Sequence, residues 1–174
     1  MDDRPYFITV EEARSIAFQT PPPLSVDTIS IDAGSNRVLA EDLPSRVNDP
    51  PFDNSAMDGF ACRFDDEASY PLTLDIVGLQ AASGVNDTID VKAGQAVRIM
   101  TGAPMPPGTD AILPIERCNV EGDHVTFLEA PTPNFVRKMG ENLKKGDVAL
   151  TKGMRLTPSR IGLCATMGYA TVPV

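Results

Sequence analysis

Between residues 48 and 140 the chain is written in short strand-like runs: LTLDIVGL, AVRIM, AILPI, CNVEG, HVTFL and NFVRK. Turn-forming stretches stand between them, ASGVND, KAGQ, PMPPGTD and EGD. Glycine, proline, asparagine and aspartate each favour a turn geometry that a regular strand cannot use. Many short strands at regular turn spacing predict a small β-barrel or sandwich. Residues 119–125 read as a hairpin centred on Gly122 and Asp123.

The flanks read differently. Thr9 and Glu12 form a capping box, and Val10, Ala13, Ile16 and Ala17 follow at helical spacing. This predicts a helix over 10–19 that stops before the prolines at 21–23. DTISI, from Asp27 to Ile31, alternates like a strand. Asp32 is placed to cap a short helix over AGSNRVLA, and Glu41 to Val47 is extended. Near the end, Thr157 and Pro158 open a second helix as N-cap and first residue. Its apolar positions are Ile161, Leu163, Cys164 and Met167, and Gly168 stops it. The run from Ala170 to Val174 is apolar and β-branched, and would leave an unpaired strand edge if the natural chain ended there. The expectation is the front part of a longer protein.

Composition narrows the function. The 174 residues carry a formal net charge of −9 and no tryptophan, which disfavours a nucleic-acid surface. An electrostatic membrane role is disfavoured for the same reason. No apolar run approaches the roughly 20 residues that span a bilayer, and the N-terminus lacks a basic-then-apolar leader layout. Cys62, Cys118 and Cys164 are odd in number, widely spaced and form no CxxC pair. Small buried hydrophobes in a reducing cytoplasm are expected rather than a disulfide or zinc framework.

One stretch, PPFDNSAMDGFACR from Pro50 to Arg63, reads equally as a turn at Asp58-Gly59 or as a chemical site holding Asp58. Four segments taken in order resolve it. They are PFDNSAMDGFA from Pro51, then VRIMTGAP from Val97, then GTDA from Gly108 with Glu116. The last runs from Arg137 through Gly140-Glu141 and Lys145-Gly146 to RLTP from Arg155 and Ile161-Gly162. Together they resemble, over nearly the whole chain, the N-terminal region of molybdopterin molybdenumtransferases, the MoeA and gephyrin E-domain family.

The resemblance implies a mainly β, β-rich α+β fold with a few helices. It implies a discontinuous dimerisation and linker domain over 1–46 and 141–174. A small β-barrel-like domain is inserted at 47–140, and the molybdopterin-binding C-terminal domains are absent. Such enzymes take adenylated molybdopterin from a molybdopterin adenylyltransferase partner. They release AMP with the help of Mg²⁺ and insert molybdenum from molybdate, as cytoplasmic homodimers. A dimeric scaffold of the gephyrin type is the alternative.

For the site, the resemblance makes Asp58 and Thr101 catalytic candidates. A carboxylate is a hard oxygen ligand, so Asp58 is also the candidate for Mg²⁺ or for orienting water towards a phosphate. Ser55, Gly102, Arg137 and Asn142 are substrate-binding candidates. Thr101 and Gly102 could turn a hydroxyl and bare amides to a ligand oxygen, although GxxxxGK[ST] spacing is absent. Arg137 and Lys138 could bind phosphate or molybdate, or form an ordinary solvated strand. Asp53, Asn54 and Ser55 have side chains suited to shaping the loop. His124, beside the hairpin turn, reads as a surface residue. The chain departs from the family at Asn142, where Gly-Glu-Asp is usual. Asparagine keeps a coordinating oxygen but loses the charge.

Overall fold

The structure is a computed structural model that describes residues 7–19, 24–83 and 89–174. The prolines at 21–23 and the turn at 84–87 lie outside the described residues. In order, the elements are α1 (Val10–Gln19), β1 (Thr28–Ser30), β2 (Leu43–Pro44), β3 (Asn54–Ser55), β4 (Gly59–Cys62), β5 (Leu72–Gln80) and β6 (Gln95–Ile99). There follow β7 (Ala111–Pro114), β8 (Cys118–Glu121), β9 (His124–Phe127), β10 (Val136–Arg137), β11 (Val148–Leu150), α2 (Pro158–Thr166) and β12 (Thr171–Pro173).

Six strands make one mixed sheet in the order β7-β4-β6-β5-β9-β8, with β7 and β8 as its edges. Only β5 and β6 run parallel. The strands alternate, and both faces are covered. Phe60 and Cys62 join Leu74, Ala96, Leu113, Val125 and Phe127 on one face. Ala61, Val97, Ile99 and Ile112 join Val91, Ala103 and Val136 on the other. This double burial explains why GFAC and AILP are apolar throughout and buried at every position. Burying a side chain as large as Phe60 or Phe127 contributes about 1.5–3 kcal/mol. The β8–β9 hairpin forms as expected, with Gly122 at φ 59° in its turn.

A third apolar cluster joins the two ends of the chain. Leu39 and Leu43 pack with Leu150, Leu156, Cys164, Met167, Tyr169 and Val172. The antiparallel pairs β1–β12 and β2–β11 stitch the same segments together. Tyr169 closes this core, donating its hydroxyl to the Pro44 carbonyl at 2.7 Å beneath the Arg46 guanidinium, which lies 3.7 Å from the ring centre. Within the run 170–174, β12 pairs along one side with β1 in a two-stranded sheet.

Local readings needed other corrections. AGSNRVLA does not form a helix. One 3₁₀ turn, Ile31–Ala33, is capped by Ser30, and Asn36 at φ 64° then leaves helical space. NFVRK is a strand for two residues only, since Thr132 caps a 3₁₀ turn with Pro133 at its start. The capping box of α1 is present, with Glu12 accepting from the Thr9 amide at 2.8 Å and Thr9 accepting in return at 3.2 Å. None of the side chains on α1 is buried, so its apolar face packs into none of the three clusters. Cys62 and Cys164 are buried, while Cys118 is half-buried. Among the described residues no helix is long and apolar enough to cross a membrane.

Candidate site around Asp58 and Thr101

Asp58 immediately precedes β4 and Thr101 follows β6 by two residues. The two strands pair antiparallel with Gly59 opposite Ile99, so both residues emerge at the same end of the sheet. Asp58 Oδ1 accepts from the Thr101 backbone N–H and from its hydroxyl, each at 2.7 Å. Oδ2 accepts no hydrogen bond among the described residues. Both side chains are exposed. The amide of Thr101, then its hydroxyl, and then the nearby charge of Arg98 hold the Asp58 carboxyl below its ordinary value. The product is an ionised, surface-open carboxylate with one oxygen fixed and the other free for a ligand.

Asp58-Gly59 is not the left-handed turn that the dipeptide suggests. Positive φ occurs at neither residue. Glycine is needed at 59 for another reason: a Cβ there would stand 2.2 Å from the Leu113 carbonyl oxygen of β7. Nor do the amides of Thr101 and Gly102 face a ligand. The first is spent on Asp58, and the second donates to the Ser55 carbonyl at 2.8 Å. Gly102 makes that bond at φ 80°, a region that disfavours other residues.

Ser55 is 1% exposed. Its hydroxyl donates to the Met57 carbonyl and accepts from the Met57 amide. Its buried hydroxyl is thus bonded within the loop that it shapes. Pairing of β3 with β10 sets Val136 beside Ser55 and Arg137 beside Asn54. Asp58, Thr101, Gly102, Ser55 and Arg137 are thus linked through one hydrogen-bonded stretch. Arg137 is half-buried; its Nε donates to Glu141 at 2.6 Å and its Nη2 to Asn142 Oδ1 at 3.1 Å. Lys138 is paired rather than simply solvated. Its Nζ donates to Asp53 at 2.8 Å, and the same carboxylate accepts from the Met139 amide. Asn142 donates its Nδ2 to Asp49 Oδ2 at 3.0 Å. The contributions of Asp49 and Glu141 escape sequence reading, since nothing in the text places residue 49 beside residue 142. His124 is exposed and 3.3 Å from Asp75 on the adjoining strand, as a surface residue would be.

Asp53, Asp58 and Glu141 all titrate below their ordinary values. The largest causes are Lys138 for Asp53 and backbone N–H groups for the other two. An acid with a depressed folded-state pKa contributes stability that is present above its ordinary pKa and lost as pH falls through the lowered one. Stability is expected to hold from neutrality to about pH 5 and to fall steadily below it. Urea unfolding at a series of pH values checks this, and Asp53→Asn is expected to flatten the fall.

No group of three or more His, Cys, Asp and Glu side chains is arranged to hold a metal among the described residues. The donor set still fits Mg²⁺ in its common mode. That ion takes one or two carboxylates and completes its shell with water and substrate phosphates, and Asp58 Oδ2 is such a carboxylate.

Fold and site together define a mainly β region, with two α-helices among the described residues, that presents a clamped, open carboxylate at the end of a sheet covered on both faces. The family model described as MoeA N-terminal region (domain I and II) matches residues 8–168, and the chain belongs to that family. A molybdopterin molybdenumtransferase of Haemophilus influenzae is 42% identical over 168 residues, spanning 95% of this chain and 41% of the relative. One from Synechococcus elongatus is 37% identical, spanning 87% of this chain and 39% of its own. The crystal structure of a molybdopterin biosynthesis moeA protein from Pyrococcus horikoshii superposes with TM-score 0.78 at 30% identity, covering 86% of this chain and 41% of that one. The chain thus spans about two fifths of the relatives it matches.

Proposed function

We propose that the chain is the N-terminal part of a molybdenum insertase. The whole protein would use adenylated molybdopterin and molybdate to form molybdenum cofactor with release of AMP. The observation that carries this is Asp58, clamped on one oxygen by Thr101 and open on the other, in a chain whose relatives are named molybdopterin molybdenumtransferase. Thr101 fixes the carboxylate in place, which removes the cost of orienting it when substrate arrives. Arg137 offers guanidinium donors to an oxyanion. Asp58 would hold Mg²⁺, and the ion when bound would neutralise charge on the phosphate groups.

The apolar clusters support a division into a discontinuous domain, 1–46 with 141–174, and an inserted domain, 47–140. The exposed apolar side chains on and around α1, Phe7 at 88% and Phe18 at 78% among them, support a homodimer. Free thiols fit a cytoplasmic setting. Burial first, and neighbouring acidic groups next, push Cys62 up to about 12 and Cys118 to about 11, so both are unreactive. A molybdopterin adenylyltransferase would supply the substrate.

The full-length protein, given adenylated molybdopterin, molybdate and Mg²⁺, is expected to release AMP and to load molybdenum. Absence of both would overturn the enzyme reading. That result would favour the gephyrin-type scaffold, the alternative that the resemblance offers and towards which Asn142, where the resemblance expects an aspartate, leans.

A further inference from the structure

Asn142 does not stand alone. The segment that carries it lies against Asp49, ninety-three residues earlier, through three backbone bonds. Asp49 donates to the Leu143 carbonyl at 2.8 Å, and its own carbonyl accepts from the amides of Asn142 at 3.0 Å and Leu143 at 3.2 Å. The side chains then form a chain of their own. Asp49 Oδ2 accepts from Asn142 Nδ2 at 3.0 Å, and Asn142 Oδ1 accepts from Arg137 Nη2 at 3.1 Å. Chemistry fixes which way the amide points, because a carboxylate can only accept and a guanidinium can only donate. The reverse flip would break both bonds. Glu141 holds the Nε edge of the same guanidinium. Of its five N–H donors, two are spent in this way, and three remain among the described residues.

We propose that Asp49 is a positioning residue for this site. Acting through the Asn142 amide, it holds the Arg137 guanidinium so that the remaining donors meet an oxyanion of the substrate. The carboxylate of this relay stands one amide back from the guanidinium, at Asp49. This rests on the assignment of Arg137 to oxyanion binding made above.

The test uses the ¹⁵N-labelled 174-residue chain and molybdate as the probe. The Arg137 Nε–H signal is followed by NMR for its exchange with solvent and its response to molybdate. Asp49→Ala is expected to speed the exchange and to weaken the molybdate response about tenfold. The exchanged pair, D49N with N142D, keeps one carboxylate and one amide in the same relay and is expected to restore both readouts. If Asp49→Ala fails to fold, the exchanged pair decides: wild-type signals support the relay, and altered ones overturn it. A folded Asp49→Ala chain that matches wild type in either readout overturns the inference alone. A wild-type Arg137 that ignores molybdate overturns it together with the oxyanion role of Arg137. The role of Asp58 is judged separately, by turnover.

Discussion

Asp58→Ala in the full-length protein is expected to slow AMP release and molybdenum loading by about a hundredfold or more, the usual cost of removing a preorganised charged or polar group from a reacting centre. The substitution leaves the fold intact, because the side chain is exposed and lies in none of the apolar clusters. Asp58→Asn separates the two contributions of the carboxylate. An asparagine Oδ1 can still accept from the Thr101 amide and hydroxyl, so the loop is held as before. The charge is gone, and with it the hard anionic ligand. Equal loss in both variants, measured as AMP released in a single turnover and as bound molybdenum, identifies charge as the working property. Unchanged turnover in Asp58→Ala would remove Asp58 from the site.

The next residue is expected to show the opposite profile. Gly59→Ala adds one methyl group, which must enter space held by the Leu113 carbonyl, 2.2 Å from the ideal Cβ position, with Pro114 Cα at 3.0 Å. The obstruction is backbone in a paired strand and cannot rotate aside. Gly59 also pairs with Ile99 on its other side, so moving β4 away from β7 drives it towards β6. A loss of about 3 kcal/mol or more is expected, at the upper end for overpacked cores. Urea unfolding of the 174-residue chain measures it. A loss below about 1 kcal/mol would mean that β4 and β7 separate more easily than their register implies. The two expected profiles, one in turnover at Asp58 and one in stability at Gly59, thus stand side by side in the sequence.

Much of this was legible beforehand, for reasons that differ by element. Helices α1 and α2 and the β8–β9 hairpin are announced by local chemistry: Thr9 with Glu12, Thr157 with Pro158, and Gly122 with Asp123. Each signal acts within four residues, so one sequence suffices to read it. Five strands of the six-stranded sheet, β5 to β9, were legible as strands, whereas β4 was not among the runs read so and the order was not legible at all. Pairing of β4 between β6 and β7 depends on partners distant in the sequence, such as Ala61 with Val97 and Gly59 with Pro114, on which local pattern is silent. AGSNRVLA misleads because Ser30 competes for the cap, and Asn36 takes a left-handed conformation. At the site, the resemblance pointed to Asp58 and Thr101, and the structure adds the bonds that join them. The resemblance gave Ser55 a substrate role, and the structure adds that its hydroxyl is buried and bonded to Met57. Asp49 was invisible because its meaning comes from a neighbour ninety-three residues away.

The bridge between Asp49 and Leu143 has a further consequence. The chain departs and returns through one doorway, reinforced where Ser45 donates its amide to Asp147 and accepts from Gly146. Everything between hangs from that doorway like a cassette on a two-stranded stem. Once the stem closes, the entropy of joining distant ends has already been spent, and changes in the length of the excursion's loops add only about 0.6 kcal/mol per doubling. A lineage carrying such a stem is free to lengthen, trim or exchange the cassette while the unit that ties the chain's two ends together stays unaltered.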